Sequence, residues 1–256
     1  MPTTPAYEIL NPDAKSPILL VCDHASNRVP PNVNGGSLGL SGHDMNRHIA
    51  YDVGAAGVTR HLAELLDAHA VLSRFSRLVI DPNRGEDDPT ILMKLYDGSI
   101  IPGNRHADAA EKKRRLELFY RPYHAALSAQ IDKMIAEGRT PSLVSIHSFT
   151  RQLNGRPPRP WHLGVLWDKD GRLAKPFMEY FAKDPDIVVG DNEPYSGELR
   201  GDTMYYHGTA RGLPHVLIEI RNDLIATPEG QQDWANRIAP AIWTAFESAN
   251  KETDNG

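Results

Sequence analysis

The sequence predicts an α/β fold with three layers, α/β/α, built around a mixed and partly parallel central sheet. Short apolar runs that are typical of buried strands alternate with longer helical patterns, and several of these runs end abruptly in polar clusters. No internal repeat or linker interrupts this order. A chain of 256 residues is long enough for one sizeable domain, so we expect residues 1–256 to form a single domain.

The strand predictions rest on continuous apolar runs bounded by polar or turn-forming residues. The first run, Ile-Leu-Leu-Val-Cys, follows Pro17 and ends at Asp23-His24. The last run reads His-Val-Leu-Ile-Glu-Ile-Arg and ends at Arg221. The predicted strands are residues 17–22, 71–72, 78–80, 142–146, 162–167, 187–189 and 215–221.

The helix predictions rest on apolar residues that recur with the helical period. Within residues 107–137 we expect Pro122 to kink or split the helix, and Pro240 interrupts the pattern of the last helix. Residues 85–105 and 148–160 are rich in turn formers and predict loops. The predicted helices are residues 44–66, 107–137, 173–182 and 228–250.

Composition and charge exclude several classes of protein. The 28 basic and 33 acidic side chains leave a net charge of −5, which provides no electrostatic footprint for nucleic acid or an anionic membrane. The single cysteine, Cys22, excludes an intramolecular disulfide framework and a cysteine-based metal cluster. No apolar stretch is long enough to span a bilayer, and residues 1–11 lack the pattern of a signal peptide. We therefore expect a cytoplasmic enzyme, and the sequence leaves its oligomeric state open.

Polar side chains follow four of the apolar runs at or near their carboxyl ends. In an open α/β sheet, ligands bind outside the carboxyl ends of the strands, so these groups predict one shared site. The groups are Asp23, His24 and Asn27; Asp81, Asn83 and Arg84; His147; and Glu219 with Arg221.

His24 and His147 are the best candidates for metal ligands in this set. Neutral imidazole suits zinc, and a catalytic zinc site usually has three protein ligands and an open position. Each histidine alone could simply bind the end of a strand. Together, at two strand ends, they predict a site for Zn²⁺ or another divalent metal.

The third metal ligand stays open at this point. Asp44, His48 and Asp52 are spaced four residues apart on a predicted helix, hence on one face, and Asp44 is our first choice. Asn27 lies three residues after His24, but an amide is a poor zinc ligand, and we place it among the candidate substrate-binding residues.

Glu219 is the candidate general base. In the last predicted strand His215, Leu217, Glu219 and Arg221 share one face, because side chains alternate along a strand. A carboxylate within so apolar a run is costly unless it is paired or functional. The alternative is a buried pair with His215 or Arg221.

Two arginines could contact an anionic substrate. A guanidinium group matches a carboxylate with two hydrogen bonds, which makes Arg84 and Arg221 candidate carboxylate clamps. Arg84 could instead polarise a scissile carbonyl and stabilise the developing oxyanion. No glycine-rich phosphate loop and no Gly-x-Ser-x-Gly elbow is present, which argues against nucleotide binding and serine hydrolase chemistry.

Five blocks of sequence, spread from the first strand to the last, together resemble the N-formylglutamate amidohydrolase family. The ordered set carries the resemblance, since no single block is specific. The blocks are Asp-His-Ala-Ser-Asn-Arg-Val-Pro (23–30), His-Ile-Ala-Tyr-Asp-Val-Gly (48–54), Ser-Arg-Leu-Val-Ile-Asp-Pro-Asn-Arg (76–84), Ser-Ile-His-Ser-Phe (145–149) and Ile-Glu-Ile-Arg-Asn-Asp (218–223).

The resemblance implies a zinc-carboxypeptidase-like fold and hydrolysis of N-formyl-L-glutamate to formate and glutamate, a step of histidine degradation. It also implies that His24 and His147 bind zinc, that Glu219 is the base, and that Asn83 and Arg84 contact the substrate carboxylate or the oxyanion. The chain departs from the zinc carboxypeptidases at Asn27, where they carry a glutamate.

Our leading hypothesis is therefore a zinc-dependent amidohydrolase that acts on a small acidic N-acyl amino acid. One alternative is a carboxypeptidase or an aspartoacylase-like deacylase. Another is a protein that binds an acidic metabolite without turning it over.

Overall fold

A central β-sheet organises the protein, and the computed structural model describes residues 5–254 of the chain. In the described part, seven strands form this sheet in the order β1-β3-β2-β6-β9-β7-β8, while β4 and β5 form a separate hairpin. The strands are β1 (Tyr7–Leu10), β2 (Ile18–Cys22), β3 (His69–Ser73), β4 (Leu95–Tyr96), β5 (Ser99–Ile100), β6 (Ser142–Phe149), β7 (Leu163–Leu166), β8 (Val189–Asp191) and β9 (His215–Arg221).

The sheet is mixed, as the sequence predicts. Strands β3, β2, β6 and β9 run parallel to one another, and β1 pairs antiparallel with β3 at one edge. At the other side, β7 runs antiparallel to β9 and parallel to β8. The four parallel strands therefore bring their carboxyl ends to one edge of the sheet.

Helices cover both faces of the sheet. Alternate residues of β2 illustrate the two cores: Leu20 packs with α2, α5 and α7, whereas Leu19 packs with α4 on the other face. This arrangement confirms the three-layer α/β/α prediction. The α-helices are α1 (Gly42–Met45), α2 (Ala55–Leu65), α3 (Ala109–Arg115), α4 (Arg121–Ala136), α5 (Ala174–Phe181), α6 (Thr203–His207) and α7 (Pro228–Asp254).

The helix predicted over residues 44–66 is wrong in its first half. Residues 46–54 are irregular and separate α1 from α2, so Asp44, His48 and Asp52 do not lie along one helix face. Gly54 precedes α2 with φ 82°, and a Cβ atom there would lie 2.1 Å from the Ile225 carbonyl oxygen. Only glycine fits this backbone, and it fixes where α2 begins.

The strand predicted at residues 78–80 is also wrong, because this run forms a buried turn. The backbone N–H of Val79 donates to the carbonyl of Ser76 at 2.8 Å, and the N–H of Leu78 donates to the Ser76 hydroxyl at 3.2 Å. A short apolar run indicates burial but does not distinguish a strand from a packed turn.

Pro122 interrupts the long helical segment, as expected. A π-helical turn, Leu116–Tyr120, joins α3 to α4, and Pro122 lies in the first turn of α4. Proline has no N–H to donate to the preceding turn, so the hydrogen-bond pattern widens there. The loop predicted at residues 85–105 contains the β4–β5 hairpin, and β1 and α6 were not predicted.

None of the helices within residues 5–254 is both long enough and apolar enough to cross a bilayer.

Candidate active site

Two buried histidines meet at the carboxyl edge of the parallel strands. His24 follows the end of β2, and His147 lies within β6, next to Glu219 of β9 in the strand register. The two imidazole rings pack edge to face, with centroids 4.9 Å apart. The structure thus brings His24, His147 and Glu219 to one site, as the strand-end analysis expects.

Asp52 supplies the carboxylate that lies between the two histidines. One of its oxygens, Oδ2, is 2.8 Å from Nδ1 of His147 and 3.4 Å from Nδ1 of His24. The backbone N–H of Ser148 also donates to this oxygen, at 3.2 Å. Candidate ligand atoms of His24, Asp52 and His147 all lie within 4.8 Å of one another.

Each imidazole also contacts a carboxylate of its own through Nε2, the ring nitrogen that does not face Asp52. Nε2 of His24 is 2.6 Å from Asp81, and Nε2 of His147 is 3.1 Å from Asp23. Arg77 in turn donates to Asp81 at 2.8 Å. Metal-binding histidines commonly donate their other N–H to a carboxylate in this way, which fixes the tautomer and the ring orientation.

Asp23 is hydrogen-bonded to four side chains of the site. Besides His147, it accepts hydrogen bonds from the hydroxyls of Tyr123 at 2.9 Å, Thr203 at 2.6 Å and Ser145 at 3.1 Å. Burial disfavours the ionised form, but the hydrogen bond and charge of His147 outweigh it and lower the pKa of Asp23 to about 2. Asp23 is therefore an anion that joins β2, β6, α4 and α6.

The donor set fits a divalent cation. Asp23, Asp52 and Asp81 carry three negative charges and Arg77 carries one positive charge, so the buried cluster has a formal charge of −2 when both histidines are neutral. An uncompensated buried charge of this size is costly, and a divalent ion would neutralise it. Two imidazole nitrogens and a carboxylate oxygen are also a common catalytic zinc set.

The same carboxylates favour the protonated forms of both histidines. Burial alone would lower the pKa of His24, but Asp81 and Asp52 outweigh it and raise the pKa. Burial opposes protonation of His147 as well, yet its bonds to Asp23 and Asp52 hold its pKa well above the usual value.

Glu219 lies beside this cluster, paired with His147 in the strand register. It is buried, and within the described residues its Oε2 atom has no hydrogen-bond partner. Burial raises the pKa of Glu219 to about 7. A general base is most effective when its pKa is close to the working pH, and Glu219 meets this condition.

Arg84 and Asn83 both line the same cavity. The Asn83 side chain accepts a hydrogen bond from the N–H of Thr203 at 3.0 Å, which anchors this segment to the start of α6. Nε of Arg84 is buried without a hydrogen-bond partner, and the guanidinium forms no salt bridge with any residue that the structure describes. Arg84 is therefore available to an anion that enters the cavity.

The structure places Asp44 away from the histidines, which corrects our first choice of third ligand. Its carboxylate binds Arg47 at 3.0 Å and the Ser41 hydroxyl at 2.8 Å, at the start of α1. Asp52, which the sequence analysis kept as an alternative, takes the position beside the two imidazoles.

Asn27 and Arg221 do not line the cavity either. The Asn27 amide donates to the Met45 carbonyl at 2.9 Å, and Arg221 donates to Asp223 at 2.7 Å. Both side chains already have local partners. The structure therefore does not bring these two candidate substrate-binding residues to the site.

Sequence reasoning noted Asp23 and Asp81 at strand ends but gave them no role, and it passed over Arg77 and Asp202. The position of Asp23, directly before a candidate histidine, was a usable signal. Arg77 and Asp202 lie in irregular segments where no periodicity marks them. Asp202 is buried and lines the cavity, and burial raises its pKa to about 7.

The cavity that contains these groups has a volume of about 610 Å³. Its lining includes charged and ionisable side chains as well as the aromatic rings of three tyrosines: His24, Asp52, His147, Glu219, Arg84, Tyr96, Tyr195 and Tyr205. This volume lies within the range of small-molecule binding sites.

Comparison with known proteins identifies relatives over most of the chain. Residues 16–226 match the family model of N-formylglutamate amidohydrolase (FGase). An N-formylglutamate deformylase from Pseudomonas putida is 30% identical over 226 residues, which are 80% of this chain and 79% of the relative. A protein of the same description from Pseudomonas aeruginosa is 27% identical over 217 residues, which are 78% and 70% of the two chains.

Solved structures show the same fold. A gene product from Agrobacterium tumefaciens superimposes with a TM-score of 0.91 at 38% identity, over 96% of this chain and 97% of the other. The N-formylglutamate amidohydrolase from Ralstonia eutropha JMP134 superimposes with a TM-score of 0.65 at 20% identity, over 97% and 100% of the two chains. At that identity the second likeness concerns the fold alone.

Proposed function

This chain belongs to the N-formylglutamate amidohydrolase family, and we propose that it hydrolyses N-formyl-L-glutamate to formate and glutamate in a metal-dependent reaction. The observation that carries the proposal is the cluster of His24, Asp52 and His147 next to Glu219 in one cavity. In this role the protein would catalyse a step of histidine degradation.

His24, Asp52 and His147 would hold the metal ion, which we propose is zinc. A bound zinc ion supplies Lewis-acid polarisation of an amide carbonyl and makes a water molecule more acidic. Asp81 and Asp23 keep the two imidazoles oriented, since each carboxylate holds the ring nitrogen that does not face Asp52.

Glu219 would transfer the proton. Its carboxylate accepts the proton of the attacking water and then delivers it to the leaving amine nitrogen of glutamate. A pKa of about 7 lets Glu219 perform both steps near neutral pH. Gly164 lies opposite Glu219 on β7, where a Cβ atom would lie 2.2 Å from the Glu193 carbonyl oxygen and 3.3 Å from the Glu219 Cβ atom, so only glycine fits between them.

Arg84 would bind a carboxylate of the substrate. N-formyl-L-glutamate carries two carboxylates, and Arg84 offers a guanidinium group without a salt-bridge partner among the described residues. Arg221, the other candidate arginine, forms a salt bridge with Asp223 instead. We therefore assign binding of the substrate carboxylate to Arg84, which is next to Asn83 in the chain.

The experiment that tests this proposal combines metal analysis with formate release. We expect the purified protein to contain about one zinc ion per chain and to release formate from N-formyl-L-glutamate. Dialysis against a chelator should abolish the activity, and added zinc should restore it. A metal-free protein that retains full activity would refute the metal-dependent mechanism.

A second arm of the experiment tests the substrate. Formate and glutamate should appear in equal amounts, because hydrolysis of one amide bond yields one of each. A zinc-loaded protein that binds N-formyl-L-glutamate but releases no formate would refute the proposed reaction and favour a binding protein.

A further inference from the structure

The cavity is larger than N-formyl-L-glutamate requires. Its volume of about 610 Å³ would hold about 20 water molecules, whereas N-formyl-L-glutamate has only about a dozen non-hydrogen atoms. The substrate therefore leaves part of the cavity unfilled. The side chains around that remaining space indicate what else it accepts.

Tyr96 forms one wall of this space. It lies on the β4–β5 hairpin, and the guanidinium of Arg77 stacks over its ring at 5.5 Å. Arg77 also binds Asp81 and approaches Asp52, so Tyr96 stands next to the candidate metal ligands. The β4–β5 hairpin thus brings an aromatic ring into the wall of the cavity that also contains the candidate metal ligands.

Tyr195 forms a second wall from a different loop. Arg159 stacks over its ring at 5.0 Å and donates a hydrogen bond to its hydroxyl at 3.2 Å. Burial of this hydroxyl, with Glu219 and Tyr96 close by, raises the pKa of Tyr195 to about 12. The hydroxyl is neutral, and Tyr195 lines the same cavity as Glu219 and Tyr96.

Arg84 and the two tyrosines have different neighbours within the cavity. Arg84 lies next to Asn83, which binds the start of α6 through Thr203, and its charge acts on Asp81 and Asp202. The pKa of Tyr195 instead responds to the charges of Glu219 and Tyr96. A substrate bound with its glutamate part at Arg84 would have the two tyrosines available to its acyl part.

An enzyme restricted to formyl groups needs a wall against the carbonyl carbon, because a pocket rejects a larger group only by leaving it no room. Tyr195, which lines this cavity, is instead 38% exposed, so the side chains around it leave space that solvent reaches. Aromatic side chains at such a position favour flat, apolar groups through ring contacts.

We propose that Tyr96 and Tyr195 form an acyl subsite, and that this protein also hydrolyses N-aroyl-L-glutamates, which carry an aromatic acyl group. The inference rests on the proposed amidohydrolase function and extends its substrate class. Water adds to the acyl carbon, the C–N bond breaks, and the amine nitrogen takes up a proton. N-Benzoyl-L-glutamate would thus yield benzoate and glutamate, with no further reactant.

The test compares kcat/KM for N-formyl-, N-acetyl- and N-benzoyl-L-glutamate on the zinc-loaded enzyme. We expect N-benzoyl-L-glutamate to exceed N-acetyl-L-glutamate about tenfold, as ring contacts in a subsite would produce. Tyr195→Ala and Tyr96→Ala should each lower the ratio of benzoyl to formyl kcat/KM about tenfold.

Tyr206→Ala is the matched control. Tyr206 is a neighbouring tyrosine that is 41% exposed and does not line the cavity, so its removal should leave the ratio unchanged. Using a ratio separates loss of the subsite from a general loss of folded or metal-loaded enzyme.

The outcomes distinguish the two proposals. Hydrolysis of the formyl substrate with no hydrolysis of the benzoyl substrate would overturn the acyl subsite and leave the proposed function standing. Benzoyl hydrolysis with an unchanged ratio in both tyrosine variants would overturn the assignment of the subsite to these residues. No hydrolysis of any of the three substrates would overturn the proposed function, and the subsite with it.

Discussion

His147 and Glu219 occupy paired positions on the neighbouring parallel strands β6 and β9. Paired positions direct their side chains to the same face of a sheet, so a candidate metal ligand and a buried carboxyl group share one wall of the cavity. The register of two central strands, rather than a mobile loop, therefore sets the distance between the metal site and the proposed base.

Replacement of the proposed base should separate catalysis from metal binding. We expect Glu219→Gln to lower kcat for N-formyl-L-glutamate about 10²- to 10⁴-fold, because the amide cannot accept the proton of the attacking water. The zinc content should stay at the wild-type level, since Glu219 lies outside the His24, Asp52 and His147 cluster. Steady-state kinetics with metal analysis measures both, and an active Glu219→Gln enzyme would contradict the assigned role.

Asp52 and Asp44 provide a matched pair for the third ligand. We expect Asp52→Asn to lose most of its bound zinc, because this change removes the carboxylate between His24 and His147. Asp44→Asn should keep its zinc, since Asp44 binds Arg47 and Ser41 at the protein surface. Metal analysis of both variants is the measurement. The reverse result would restore Asp44 as the ligand.

The third ligand shows where sequence reasoning stops. Strand ends were predictable, because an apolar run that stops at a polar cluster indicates a buried strand and the point near which it ends. This pattern was enough to place His24, His147 and Glu219 at one edge of the sheet. Asp52 lies in the irregular residues 46–54, which the apparent helical period concealed. Its position depends on tertiary contacts, chiefly the hydrogen bond from its N–H to the His24 carbonyl.

Arg221 shows a second limit. It lies at the end of β9 and on the same face as Glu219. Both its place at a strand end and the alternation of side chains along the strand therefore predicted that Arg221 would reach the site. Two residues later, however, Asp223 offers a local partner at 2.7 Å. A sequence pattern predicts the face of the strand to which a side chain is attached. It does not predict the position of the guanidinium group at the end of a long, flexible arginine side chain.

Asp23 should act on the metal through His147. We expect Asp23→Asn to weaken zinc binding about 10- to 100-fold, the usual effect of losing a carboxylate behind a metal-binding histidine. Competition with a chelating dye measures this affinity directly. Thr203→Val removes one hydrogen bond to Asp23 but leaves its charge, and it should weaken zinc binding less. Equal affinity in wild type and Asp23→Asn would show that Asp23 has no such role.

Arg84 and Arg221 test how the substrate carboxylate is bound. We expect Arg84→Ala to raise KM for N-formyl-L-glutamate about tenfold or more, because it removes a charge-assisted hydrogen-bond donor from the cavity. Arg221→Ala should change KM little, since Arg221 pairs with Asp223 outside the cavity. A fall in kcat with unchanged KM for Arg84→Ala would instead assign Arg84 to the transition-state oxyanion.

Asp202 should make the protein less stable as the pH rises from about 4 to about 7. Burial, together with the charge of Asp23, raises its pKa from 3.8 to about 7, so the folded state holds this proton more tightly than the unfolded state. The stabilising contribution is then fully present below about pH 4 and is lost as the pH approaches 7. The upper limit of the effect is about 4 kcal/mol, from three pKa units.

Asp202→Asn should remove this pH dependence while it preserves the cap of α6. The Asp202 side chain accepts a hydrogen bond from the N–H of Tyr205 at 2.7 Å, and asparagine is an equally good capping residue. Urea unfolding at pH 5 and pH 8 should show a smaller loss of stability in this variant than in wild type. Asp186→Asn, at an exposed aspartate, is the control and should keep the wild-type difference. If Asp202→Asn loses as much stability between the two pH values as wild type does, the proton that Asp202 holds in the folded state does not contribute to stability.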